Sequence, residues 1–330
     1  MIGVFKQKTP GNLFALLVLG IIIKIPIFMH PHIPVSEPKD GPLFLAILKS
    51  ISNIGKASPS IYSLITFILL YTQAISLNKV INDNRMMQRQ TFLPAMSYLV
   101  VTSLVPEWNY FSAPLFVNSI LVFVLAGLFR TQNMQQAKGM IFNVGLGIGI
   151  ASFIFFPIVV FMMWAVFGLM LMRPFRINEW LLCLLGMTAP YYFYPVYLFL
   201  TDQFNLGKIL PYIDISLPHF KQSVWIAVSS LLLCLPFIIG AYYVQDNLRR
   251  MLIQVRKGWS LILLYLLAAI LVPFLNAGQS FENWVIAAIP LASFHACTYL
   301  YPPKRIYPQI LFWITILFIF VYQYYSAGTM

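Results

Sequence analysis

Apolar residues in this chain come in long blocks broken by short polar stretches, with little of the alternation a strand would show. A helix that spans a bilayer needs about 20 mostly apolar residues. Eleven blocks approach that length, at roughly 12–28, 59–77, 91–106, 111–129, 140–156, 157–172, 178–200, 223–244, 259–275, 283–300 and 308–325. The fifth and sixth form one apolar run of over 30 residues, too long for one helix at about 1.5 Å per residue. Pro157, near its middle, is the expected turning point. The pattern predicts an all-α membrane protein: a polytopic helical bundle of about 11 transmembrane helices, forming a single integral membrane domain over residues 1–330. No internal repeat at a fixed period is visible.

One stretch departs from this pattern. Residues 29–58 carry prolines at 31, 34, 38 and 42, which forbid a regular helix before Gly41. After Pro42, apolar Phe44, Ile47, Leu48, Ile51 and Ile54 fall at helical spacing, and Lys49, Ser50, Ser52, Asn53 and Lys56 take the other face. That is a short amphipathic helix suited to lie in the membrane interface. Pro42 fits its first turn, with Asp40 or Gly41 as cap. Asp40 is therefore placed where a stiff loop meets an interfacial helix, either as an N-cap, as a carboxylate at the mouth of a cavity, or as both.

Composition agrees with a membrane solvent. Hydrophobic residues make up 60% of the 330, charged residues only 9%, and the mean hydropathy is +0.81. A soluble chain cannot hide that much apolar surface around one core. The net charge of +12 raises nucleic acid as a partner, but the cations sit in short loops between apolar blocks, so none is expected. The three cysteines, Cys183, Cys234 and Cys297, all lie inside apolar blocks without CxxC spacing, which predicts neither a disulfide framework nor a metal knuckle. Lys6 and Lys8 before an apolar stretch imitate a signal peptide. No small-x-small site follows, so an uncleaved first span is expected.

Lysine and arginine in short loops set orientation. With the N-terminus cytoplasmic and eleven alternating spans, 15 of 21 cations fall inside, among them Arg85, Arg89, Arg130, Arg173, Arg249 and Arg256. The C-terminus is then periplasmic, and a bacterial inner membrane is the expected location. Glu37, Asp40, Glu107, Asp202, Asp214 and Glu282 fall on the outer side, so six of nine carboxylates share one face. Gly145, Gly147, Gly149 and Ala151 form small-xxx-small pairs that predict close helix packing.

Two resemblances add to this. Segment 141–200, through Phe142-Asn143-x-Gly145, Pro157, Arg173-Pro174-Phe175, Glu179-Trp180 and Gly186 with Pro190-Tyr191, resembles an uncharacterised family of polytopic inner-membrane proteins of Bacteroidota, and implies no known activity. The layout of span, acidic outer loop, interfacial helix and then many spans is similar to the GT-C glycosyltransferases, which use polyprenyl-phosphate-linked sugars. By that resemblance Asp40 matches the acid of the first outer loop, with Glu37 as its neighbour, although the adjacent acid pair and a large outer domain are missing. The implied chemistry needs a base for the acceptor hydroxyl, cations for the phosphate and a groove for the isoprenoid tail. Asp40 and Glu107 are the catalytic candidates, and Lys24, Lys39, His30 and His219 the substrate-binding ones. No cofactor is evident, though the same carboxylates could take a divalent cation. Membrane lipids, with a polyprenyl-phosphate sugar among them, are the expected partners. The alternative function is non-catalytic: a lipid flippase or transporter, or a subunit of an envelope assembly.

Overall fold

The computed structural model describes residues 2–7, 9–37, 40–132, 134–202, 217, 223–275, 280–304 and 306–328. Among the described residues thirteen helices follow one another: α1 Ile2–Phe5, α2 Pro10–Met29, α3 Pro42–Ala57, α4 Ser60–Asp83, α5 Leu93–Val101, α6 Ala113–Thr131, α7 Lys138–Ile154, α8 Val160–Met172, α9 Ile177–Leu200, α10 Val224–Asn247, α11 Ile253–Leu271, α12 Ala288–Leu300 and α13 Ile306–Gly328. Short 3-10 helices at Pro106–Asn109, Phe156–Val159, Leu248–Arg250, Val272–Phe274 and Glu282–Ala287 link several of them.

Seven helices among the described residues are long and apolar enough to cross a membrane: Gly11–Met29, Ser60–Asp83, Ala113–Thr131, Ile177–Leu200, Val224–Arg250, Ile253–Phe274 and Ile306–Gln323. Large apolar side chains such as Phe14, Phe123, Phe193, Ile238 and Leu317 point outward from the bundle. Water would penalise that belt of exposed hydrocarbon, whereas acyl chains solvate it. The chain is a multi-pass helical membrane protein. The remaining four apolar blocks also fold as helices, but as shorter ones: α5 has 9 residues, α7 has 17, and α8 and α12 have 13 each. The shortening has local causes. Thr102 and Ser103 turn their hydroxyls back onto backbone carbonyls at the end of α5, and Pro106 follows. Ahead of α12 the chain winds as a 3-10 helix over Glu282–Ala287. Between α7 and α8, Phe155 is extended and Pro157 opens a 3-10 turn.

Helices α7 and α8 double back at that turn. Arg173, just past α8, returns to the end where α7 begins and hydrogen-bonds the Thr131 and Met134 carbonyls at 2.5 and 2.6 Å. It also pairs with Glu179 through Nε and Nη2, both at 2.9 Å. Helix α7 packs closely on α9. A methyl group on Gly145 would lie 2.1 Å from the Cys183 carbonyl oxygen, and one on Gly186 would lie 2.4 Å from that of Phe142. Only hydrogen fits at either position, which is the close packing that the small-residue spacing predicts.

The two ends of the bundle differ in charge. At one end Phe92 donates its amide to the Phe5 carbonyl at 2.8 Å, and the Trp259 indole donates to Met86 O at 3.3 Å. Arg85, Arg89, Arg130, Arg173, Arg176 and the Leu248–Arg250 turn gather there. At the other end the Gly41 amide donates to Ile154 O at 2.8 Å, Asp40 bridges to Phe155, and the Trp108 indole donates to Phe281 O at 2.8 Å. These contacts bring Glu37, Asp40, Glu107 and Glu282 to one end. Helix α3 lies at the same end with Phe44 buried on Phe111 (ring centroids 5.7 Å apart), Ile47, Leu48 and Ile51 half-buried, and Lys49 and Ser50 exposed. The side chains of Asn53, Ile54 and Lys56 lie outside the described residues.

Candidate functional site

The acidic end is built around the proline-rich loop that leads into α3. Its prolines hold the loop away from helix, and its last residues are stitched to the α7–α8 turn. Gly41 is required there, because a Cβ would stand 2.0 Å from the Phe153 carbonyl oxygen. This close approach fixes the backbone of Asp40. The Asp40 amide donates to Glu37 O at 3.0 Å, and the Asp40 carboxylate accepts the Glu37 amide at 2.8 Å. The carboxylate thus braces its own loop.

Asp40 lines a cavity of about 220 Å³ together with His32, Glu37, Phe44, Ser112 and Glu282. Among the described residues no lysine or arginine lines it. A second cavity, of about 430 Å³, adjoins the first across His32, and its walls include His30, Asn109, Tyr110 and Gln323. The His32 ring stacks on Tyr110, with centroids 4.4 Å apart and planes 14° from parallel. Burial lowers the His32 pKa and so favours the neutral imidazole. Burial raises that of the Tyr110 phenol, and the negative charges of Glu107 and Glu282 and the nearby Tyr322 raise it further. The stacked pair therefore carries no charge near neutral pH.

Beneath the second cavity lies Lys24. It is fully buried and donates to Thr102 Oγ1 at 3.0 Å and to the side-chain carbonyl of Asn109. No carboxylate pairs with it within ion-pair distance among the described residues. Holding a charge there without a counter-ion is costly, and Lys24 touches the cavity only through the Asn109 side chain.

Glu107 sits in the Pro106–Asn109 turn and accepts the backbone amide of Phe281. It fixes the start of the 281–287 segment and so places Glu282, but it lines neither cavity. Lys39 and His219 lie outside the described residues. The structure thus brings Asp40 to the first cavity, His30 to the second, and Lys24 under the second. Glu282, Asn109 and Tyr110 join them without having been singled out as site residues. Their only signal in sequence was polarity at the edge of an apolar block.

A third cavity, about 800 Å³ and almost wholly apolar, opens between α10, α11 and the Glu282–Ala287 segment. Trp108, Trp284 and Tyr322 form its wall at the acidic end, and Leu233, Phe237 and Ile270 line it further along. The turn at 105–110 and α13 at 322–323 separate it from the second cavity. Among the described residues no three His, Cys, Asp or Glu side chains converge to hold a metal ion.

A family model described as Family of unknown function (DUF6427) matches residues 42–330. The chain belongs to this family. No curated protein and no solved structure matches it. The DUF6427 match begins at the first residue of α3, so it takes in Glu107, Asn109, Tyr110 and Glu282, while Lys24, His32 and Asp40 precede it.

Proposed function

We propose that this DUF6427 protein is a GT-C-like glycosyltransferase of the bacterial inner membrane, taking sugar from a polyprenyl-phosphate donor on the periplasmic side. The observation that carries the reading is the placement of Asp40. It lies at the foot of helix α3, braced by its own loop and lining a cavity that adjoins a second one walled by Asn109, which Lys24 hydrogen-bonds. The charge difference between the two ends supports the orientation. The arginine-rich end is cytoplasmic by the positive-inside rule, and the acidic end is periplasmic. In this reading α5, α7, α8 and α12 cross as shorter helices, α7 and α8 as a hairpin, and the eleven crossings leave the N-terminus inside and the C-terminus outside.

The chemistry follows from the layout. The acceptor hydroxyl enters the Asp40 cavity, and the Asp40 carboxylate takes its proton as the oxygen attacks the anomeric carbon. The bond from that carbon to the lipid phosphate breaks, and the electron pair leaves with the phosphate oxygen. The phosphate group rests in the second cavity against His30 and Asn109, with Lys24 behind Asn109. The isoprenoid tail leaves the second cavity along its apolar wall of Pro26, Ile27 and Met29. Glu107 acts as a positioning residue for Glu282.

The apolar groove of about 800 Å³ favours one second reading, a lipid flippase, which would need the groove but not the carboxylate. Lipid extracts of a deletion strain test the proposal. The transferase reading expects polyprenyl-phosphate sugar to accumulate and a glycosylated product to disappear together. Loss of the product without accumulation of the donor, or no change in either, would count against it.

A further inference from the structure

A separate site lies at the arginine-rich end. Helix α4 ends in a tight C-terminal turn in which the Met86 amide donates to Ile81 O at 3.1 Å and the Arg85 amide to Asn82 O at 3.1 Å. This arrangement needs a left-handed residue just past the helix, normally glycine. Here it is Arg85, at φ 50°. A left-handed arginine is disfavoured by the clash of its Cβ with the backbone, and strain of this kind tends to persist where the side chain has a use.

The surrounding loop is held rigidly. Asn82 grips Thr91 through both ends of its amide, at 2.8 and 3.1 Å, and Met86 is anchored by the Trp259 indole. The loop presents Arg89 between two small cavities. One, about 180 Å³, is lined by Arg85 and Arg89 together with loop amides. The other, about 250 Å³, is lined by Lys6, Gln7, Arg89 and Gln309, the last in the first turn of α13, where helix amides add positive potential. Three cations from two chain segments line these cavities with Asn82, Gln7, Gln88, Gln90 and Gln309, and among the described residues no carboxylate does.

We propose that Arg85, Arg89 and Lys6 form a binding site for a phosphate group, supplied by an anionic lipid headgroup at the membrane surface. Guanidinium forks match phosphate oxygens, and Arg89 is shared by the cavity that Lys6 lines and the one that Arg85 lines. The site is independent of the Asp40 chemistry.

The test is thermal unfolding of the purified full chain in neutral detergent. It compares short-chain phosphatidylglycerol, short-chain phosphatidylcholine and inorganic phosphate as additives, on the natural protein, Arg85→Gly and Arg89→Gln. Phosphatidylglycerol should raise Tm of the natural protein, and phosphatidylcholine should not. If inorganic phosphate raises Tm as well, the phosphate group alone suffices; if it does not, the lipid is the source. Each substitution should weaken phosphatidylglycerol binding about tenfold or more. Arg85→Gly should at the same time raise the Tm measured without additive, because glycine relieves the left-handed strain, so a weaker response cannot be ascribed to misfolding. An equal response of all three proteins to phosphatidylglycerol, or no response from the natural protein to phosphatidylglycerol or phosphate, overturns the proposal.

Discussion

The Asp40 carboxylate accepts the Glu37 amide at 2.8 Å while the Asp40 amide returns a hydrogen bond to the Glu37 carbonyl at 3.0 Å. Two residues three apart thus close the loop that feeds α3. Asparagine keeps an oxygen that can accept the same N–H, whereas alanine leaves that N–H without its acceptor. Asp40→Ala should therefore cost about 1 kcal/mol of stability, and Asp40→Asn less than half of that. Thermal unfolding of the two variants checks the order. If they prove equally destabilised, the brace contributes nothing.

Lys24 presents the opposite case, a polar group that the fold would gain by losing. Burying its amino group without an ion pair costs several kcal/mol. Removing it orphans the Asn109 side-chain carbonyl at a cost of about 1–3 kcal/mol. The first quantity is larger, so Lys24→Met should leave Tm unchanged or raise it, while phosphate binding at the acidic end is lost. A marked fall in Tm would mean that Lys24 serves the fold instead.

The helix contacts predict a sharp difference between two glycines of α7. A methyl group on Gly145 meets the Cys183 backbone at 2.1 Å, whereas one on Gly139 meets nothing within 4 Å. Gly145→Ala should destabilise by at least 1–3 kcal/mol, on the order expected for overpacking. Gly139→Ala should stabilise by roughly 0.5–1 kcal/mol, because glycine is a poor helix residue. Denaturation of the two variants side by side checks the sign of each.

Acid should loosen the loop that carries His32. Burial lowers its folded-state pKa below the unfolded value of 6.5. Between those two values the unfolded chain binds more protons than the folded one, so stability falls as pH drops from about 6.5 toward the folded pKa. The cost lies in desolvating the charged ring. His32→Asn should flatten this part of the pH profile, which unfolding at pH 5 and pH 7 would show. An unchanged slope in the variant would remove His32 as its source.

Much of the fold was legible because a membrane chain writes its helices as apolar blocks. All eleven blocks fold as helix, and the turn at Pro157 falls where the length of the run required one. Helix lengths were less legible. At α5 and α12 the chain unwinds into turns and 3-10 helix, and hydropathy does not register the local hydrogen bonds and the proline that end a helix. The motif of segment 141–200 gains a physical meaning: Gly145 and Gly186 let α7 and α9 touch, Arg173 grips Glu179, and Phe175 meets Trp180 edge-on with centroids 4.8 Å apart. The site was legible only as a loop. Asp40 was marked by the change from proline-rich chain to amphipathic helix. Glu282 reaches the same cavity across more than 240 residues, and nothing local to either residue shows that meeting.

The central claim is that Asp40 drives transfer of a lipid-linked sugar. It is tested most directly by isotope-labelled polyprenyl-phosphate sugar in membranes of a deletion strain carrying either the natural protein or Asp40→Asn at equal abundance. The account predicts release of polyprenyl phosphate with the natural protein and a rate lower by about 10²- to 10⁴-fold with the variant. Equal rates from both membranes would contradict it.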